Sequence, residues 1–103
     1  MLLVREIMYC KPGKVRPLVE KFLEMDKLGR QSGMPGMKII TDFCAERFWT
    51  VVAEIEVNDM GEFQKMMSGE GQNAEAMKKM EKLMEGYHEL VMKGRREIYK
   101  LEG

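Results

Sequence analysis

The stretch Phe48–Val57, FWTVVAEIEV, decides the fold. It is the most apolar and β-branched run in the chain, preceded by Glu46-Arg47 and closed by Asn58-Asp59. Side chains of these types fit a pleated, packed surface, so the run predicts a strand. Alternate residues of a strand point to opposite faces. Trp49, Val51, Ala53, Ile55 and Val57 make one wholly apolar face, which belongs under helices. Phe48, Thr50, Val52, Glu54 and Glu56 make the other, apolar at its start and acidic at its end. Such a face is too apolar for open water at one end and too charged for a sealed core at the other. The pattern predicts a central strand with helices on one side and a partner or ligand on the other.

Working outward, Leu2–Cys10 (LLVREIMYC) reads as a first strand with one charged residue on each face, which suits burial on both sides. Lys11-Pro12-Gly13 breaks it. Lys14 to about Gln31 reads as a helix, with Val15, Leu18, Val19, Phe22, Met25 and Leu28 at helical spacing. Pro17 falls in the first turn, where few N–H bonds are lost. Met37–Cys44 (MKIITDFC) is a second strand, joined to the central one by the short link Ala45-Glu46-Arg47.

Asp59 and Glu62 have the spacing of a capping box for a short helix carrying Met60, Phe63, Met66 and Met67. Ser68-Gly69-Glu70-Gly71 interrupts it and Asn73 caps again. Ala76, Met77, Met80, Leu83, Met84, Tyr87 and Val91 then extend a helical stripe to about Lys93, with Gly94 as the expected stop. Arg95–Glu102 (RREIYKLE) is the last strand.

The length of 103 residues suits one domain with one modest core. Lys plus Arg and Asp plus Glu each number 17, so there is no basic surplus of the kind nucleic-acid binding needs. No apolar run approaches the ~20 residues of a membrane span. Arg5 and Glu6 deny the N-terminus a signal-peptide core. With Cys10 and Cys44 as the only cysteines, a disulfide framework is not expected, and a cytoplasmic location is. The twelve methionines, several on helical stripes, read as filler of irregular core gaps or as the lining of an adaptable contact surface.

The order strand, helix, strand, strand, broken helix, strand, with right-handed crossovers, predicts a ferredoxin-like βαββαβ α+β fold. Its antiparallel sheet has order 4-1-3-2 and both helices on one face. The uncovered face, holding Phe48 and Val52, predicts an apolar patch that a two-fold partner would bury with its own sheet. One local feature bears on register. Arg-Glu-Ile occurs at Arg5-Glu6-Ile7 and at Arg96-Glu97-Ile98. A register pairing Arg5 with Glu97 also pairs Glu6 with Arg96, setting opposite charges across the strands.

VREIMYCKPGK, a helix, a hairpin ending in WTVVAEIEV, a broken helix and the closing GRREIYKLE together resemble the dimeric α+β barrel superfamily. The nearest likeness is to small bacterial proteins related to the NIPSNAP and antibiotic-biosynthesis-monooxygenase domains, and it covers essentially the whole chain. The resemblance implies a homodimer whose paired sheets enclose a barrel, often with a small-molecule pocket between sheet and helices in each subunit. Members include cofactor-free oxygenases, haem-degrading enzymes, isomerases and proteins with no established activity.

Residues able to carry chemistry are few. His88, the only histidine, suits an acid/base or an axial haem ligand; the favoured reading is a structural helix-end residue beside Glu85 and Glu89, since a lone His lacks the neighbours that set a task. Haem-degrading relatives use an asparagine in the first strand and a tryptophan on the later helix. Leu2–Cys10 holds no Asn, and Trp49 lies on a strand, which speaks against haem. Tyr9, Phe43, Trp49 and Tyr99 offer aromatic surface, for a substrate or for the core. Asp42, Glu54 and Arg5 or Arg96 form either a polar ligand site or a structural ion network. The candidate pocket residues are thus Tyr9, Asp42, Trp49, Glu54, Tyr87, His88 and Arg96, with no metal and no cofactor expected. No phosphate loop, metal-ligand spacing or Ser-His-Asp pattern is present.

Overall fold

A computed structural model of the chain describes residues 1–68 and 74–103. Its elements are β1 (Leu2–Cys10), α1 (Val15–Gln31), β2 (Met37–Thr41), β3 (Thr50–Val57), α2 (Met60–Ser68), α3 (Ala74–Leu83), one 3-10 turn (Tyr87–Glu89) and β4 (Val91–Lys100). The strands form one antiparallel sheet in the order β2-β3-β1-β4, the ferredoxin-like arrangement. The order is the expected one, counted from the opposite edge. The readings placed on Gly69, Glu70, Gly71 and Asn73 lie outside the described residues.

The helices cover the face carrying Val51, Ala53, Ile55 and Val57, as alternation from the central run requires. Val51 and Ala53 pack with Cys10 and with Leu18, Val19 and Phe22 of α1. Val57 packs with Val4 of β1 and Phe63 of α2. Fully burying each aliphatic side chain is worth roughly 1.5–3 kcal/mol, so these two clusters hold the helices to the sheet.

Polar contacts at the element ends set their positions. Lys21 Nζ on α1 donates to the carbonyls of Leu83 and Glu85, 2.9 Å each, meeting the unpaired end of α3 with a cation. Asp26 on α1 accepts from the Met37 N–H at 2.9 Å and pairs with Arg30, which ties the helix to the start of β2. The capping box forms at α2: the Glu62 N–H donates to Asp59 Oδ1 at 2.8 Å. Glu62 Oε2 in turn accepts from the Asn58 N–H at 3.0 Å, one residue earlier than in the usual box.

Three boundaries and one expected helix stop differ from expectation. β2 stops at Thr41 rather than Cys44, and β3 starts at Thr50 rather than Phe48. The reason is Asp42, whose Oδ1 accepts from the Thr50 N–H at 2.8 Å, closing a loop over 42–49 in place of the short Ala45–Arg47 link. The last helix ends at Leu83 rather than near Lys93. There Gly86, at φ +79°, takes the left-handed conformation that ends the helical path, and the Tyr87–Glu89 turn leads into β4. Gly94 is not a helix stop. It pairs with Met8 inside the β1–β4 ladder, where a Cβ would come within 2.6 Å of Met8 Sδ.

The open sheet face also departs from expectation. Ile7, Tyr9 and Val52 form a cluster there that is already buried within the chain. Tyr9 lies beneath Arg47, whose Cζ is 4.7 Å from the ring centroid, with Lys93 and Arg95 at 5.8 and 5.9 Å. Phe48, expected on this face, sits in the 42–49 loop and is 79% exposed.

Candidate functional site

The sheet separates the candidate residues into two groups. On the open face Arg5 and Glu54 are paired across β1 and β3, with Nε 2.9 Å from Oε2. That Nε–H is not aligned for a hydrogen bond, so the contact is an ion pair. Glu97 lies 3.9 Å from Arg5 and 3.0 Å from Arg95, and also accepts from the Tyr99 hydroxyl at 2.9 Å. Glu97 accordingly pushes the Tyr99 phenol above its ordinary pKa, first by accepting its proton in a hydrogen bond and then by charge repulsion. Tyr9 belongs to this face too. Asp42 and Arg96 do not join the cluster: Asp42 is committed to the Thr50 amide, and Arg96 is on the helix side.

Trp49 stands apart. Its φ of +63° places a bulky residue in the left-handed region, which costs about 1–2 kcal/mol. The Trp49 carbonyl accepts from the Cys10 N–H at 2.8 Å while the Asp42–Thr50 bond holds the next residue. Together they swing the indole off the strand and leave it 43% exposed, in a shallow depression with Val15, Asp42 and Phe48. Trp49 therefore does not belong to the apolar sheet face.

On the helix side, Arg96 Nε donates to Glu6 directly across β1 and β4, and its guanidinium lies over the Phe63 ring at 5.0 Å. Tyr87 and His88 occur in the 3-10 turn, not on a helix, with ring centroids 4.1 Å apart. Glu6, Tyr87, His88 and Arg96 border one open depression beside β4. Cys10 and Cys44 are both free thiols; burial pushes the Cys10 thiol up, while Cys44 is exposed. Among the described residues no three of His, Cys, Asp and Glu converge on a metal-sized site, and no helix is long and apolar enough to cross a membrane.

The most apolar concavity is elsewhere. A cavity of about 340 Å³ lies between the sheet and the helices. Its floor is Val4, Ala53, Ile55 and Met37, and its walls include Phe63 and six further methionines: Met25, Met34, Met66, Met67, Met77 and Met80. Glu6, Asp26 and Glu81 also line it. None of the seven candidate residues lines this cavity, although Arg96 holds its Glu6. The signal in the sequence was the methionine stripe on three helical segments. Core filling and cavity lining produce the same stripe, so spacing alone does not separate them.

The fold is one shared with solved structures of NIPSNAP-like and antibiotic-biosynthesis-monooxygenase-like proteins. A crystal structure of an uncharacterised NIPSNAP-like domain protein from Burkholderia xenovorans superposes with a TM-score of 0.74 at 10% identity, covering 97% of this chain and 84% of that one. A structure described as an antibiotic biosynthesis monooxygenase gives 0.70 at 14% identity, with all of both chains covered. A NIPSNAP family protein from Agrobacterium tumefaciens gives 0.67 at 10%, covering 97% and 92%. At these identities the likeness is one of fold. No family model and no curated protein matches the chain by sequence.

Proposed function

We propose that the chain forms a two-fold dimer through its open sheet face and binds a small, partly apolar molecule between sheet and helices. The observation that carries the ligand is the cavity itself. It is an open cleft with exposed Met67 and Met77 among its lining residues, and its volume of about 340 Å³ falls within the range of small-molecule pockets, roughly 300–1,000 Å³. Methionine walls adapt to a ligand's shape because the side chain is unbranched and polarizable. The dimer is supported by the absence of any described helix on the open face. Exposed Ile40 and Tyr99 on that face, and Phe43 and Phe48 in the adjoining loop, add apolar surface for a second copy.

A second reading is a cofactor-independent monooxygenase or isomerase acting on an aromatic or polyketide-like substrate. It draws on the full-length likeness to the protein described as an antibiotic biosynthesis monooxygenase.

Native mass spectrometry of the purified protein tests the main reading. The expected result is a dimer carrying a bound small molecule, with Ile40→Glu shifting the population to monomer. A monomer at micromolar concentration overturns the dimer. A cavity that neither co-purifies with a small molecule nor binds any member of an apolar ligand panel overturns the ligand. Incubation with phenolic compounds and oxygen, with product detection, decides for or against the second reading.

A further inference from the structure

The two ends of the open sheet face differ in charge and in shape. Where β1 finishes, Arg47, Lys93 and Arg95 stand 4.7, 5.8 and 5.9 Å from the Tyr9 ring centroid. Among the described residues only Arg95 of these has a carboxylate partner, Glu97. From the same end the 42–49 loop projects Phe43, wholly exposed, and Phe48. Where β1 begins, a depression of about 600 Å³ is lined by Met1, Leu3 and Pro35 and by Glu54, Glu56 and Glu62. Glu54 is held by Arg5 and Glu62 by the Asn58 N–H. Glu56 is exposed and has no ion pair or hydrogen bond among the described residues. Each end also holds one exposed charge of the other sign, Glu46 in the loop and Lys38 in the depression. Glu56 stands opposite Leu3 and Thr50 opposite Tyr9, so at the rise of a strand the two ends are about 20 Å apart.

From this we infer that two copies of the chain meet head to tail: the 42–49 loop of each seats in the depression at the far end of the other, and Arg47 pairs with the partner's Glu56. The inference rests on the reading of the open face as the interface with a second copy. The two-fold axis then runs across the strands and lays each strand over its own copy, reversed. That brings the β2–β3 loop of one chain over the start of β2 and the end of β3 in the other, where the depression lies. Phe43 and Phe48 leave water against Met1, Leu3 and Pro35, and Glu46 comes over the partner's Lys38. The contact is made twice, once at each end, as a self-complementary interface requires. An axis along the strands instead gathers both sets of Arg47, Lys93 and Arg95 at one end, and like charges facing each other oppose association.

The test is a charge exchange read by sedimentation equilibrium of the full chain, in native protein, Arg47→Glu, Glu56→Arg and the double variant. Each single variant puts two like-charge contacts into the dimer and is expected to raise its Kd about tenfold. The double variant is expected to return close to the native Kd. Recovery reports a contact between copies, because within one chain the two side chains are too far apart to pair. Mixing the two single variants, one labelled with heavy nitrogen, is expected to give mostly mixed dimers by native mass spectrometry. Dimerisation unmoved by either single variant, losses that multiply in the double variant, or a statistical mixture of dimers overturns the inference and leaves the dimer reading standing. Arg47→Gln, Glu56→Gln and their double introduce no like charges and are expected to weaken the dimer less than additively. Additive losses in that neutral set overturn the inference even where a reversed charge disturbs the fold. A native chain that is monomeric at micromolar concentration overturns the dimer reading and this inference with it.

Discussion

Glu6 and Arg96 oppose each other directly across β1 and β4, and the Arg96 guanidinium donates to the Glu6 carboxylate on the helix side of the sheet. One step along, Arg5 opposes Glu97 on the other side. The two Arg-Glu-Ile segments are thus antiparallel complements, and the register they encode places a charged pair on each face. Exchange of the charges in Glu6→Arg or Arg96→Glu alone puts like charges opposite each other and should lower stability by up to about 1 kcal/mol. The double exchange should recover most of the loss. A denaturant double-mutant cycle reads this directly, and additive losses would show that the pair does not support the register.

Gly86 ends the last helical path at φ +79°, with nothing within 4 Å of the Cβ position, so space is not the constraint there. Gly86→Ala should cost about 1–2 kcal/mol through backbone conformation alone, and Gly86→Asn less, because Asn tolerates this region better. Equilibrium unfolding of the two variants checks the order. Equal stability of native and Ala forms would mean that the turn relaxes elsewhere.

Asp42 closes the β2–β3 loop through the Thr50 amide. Asp42→Ala should lower stability by about 1 kcal/mol and speed hydrogen exchange at the Thr50 N–H. Asp42→Asn keeps an acceptor oxygen and should retain most of the protection. Unchanged exchange in the Ala variant would assign the loop's closure to other contacts.

Tyr99 donates its hydroxyl to Glu97, and loss of that proton would set a phenolate beside a carboxylate; the nearby Arg5 and Arg95 pull the other way without prevailing. The Tyr99 phenol is therefore expected to titrate above the ordinary tyrosine range. Because the folded value is raised, the hydrogen bond supports the fold below the unfolded tyrosine pKa and is lost as pH rises through the folded one. Ultraviolet difference titration, with Tyr99→Phe to identify the signal, should show the midpoint falling in Glu97→Gln. A midpoint unmoved by that variant would remove Glu97 as the cause.

Much of the architecture is legible in the sequence. Alternation in the run ending at Val57 told which face the helices cover, because burial of every second residue leaves a period of two in the sequence. Element order told the topology, since parallel crossovers have one hand, and the repeated Arg-Glu-Ile offered a register, alongside chance recurrence of a common tripeptide, that the β1–β4 ladder adopts. Tertiary structure alone decided where Trp49 points, because its left-handed backbone sits between Asp42, which holds the Thr50 amide from the same loop, and Cys10 at the end of β1. It alone decided that Gly86, and not Gly94, ends the helical path, since both glycines punctuate a sequence equally and only one meets Met8 across a ladder. It alone decided that the methionines line an open cleft. A stripe records which face of a helix is turned inward, whereas a cavity depends on the distance between that face and the sheet opposite, a quantity set by three packed elements together.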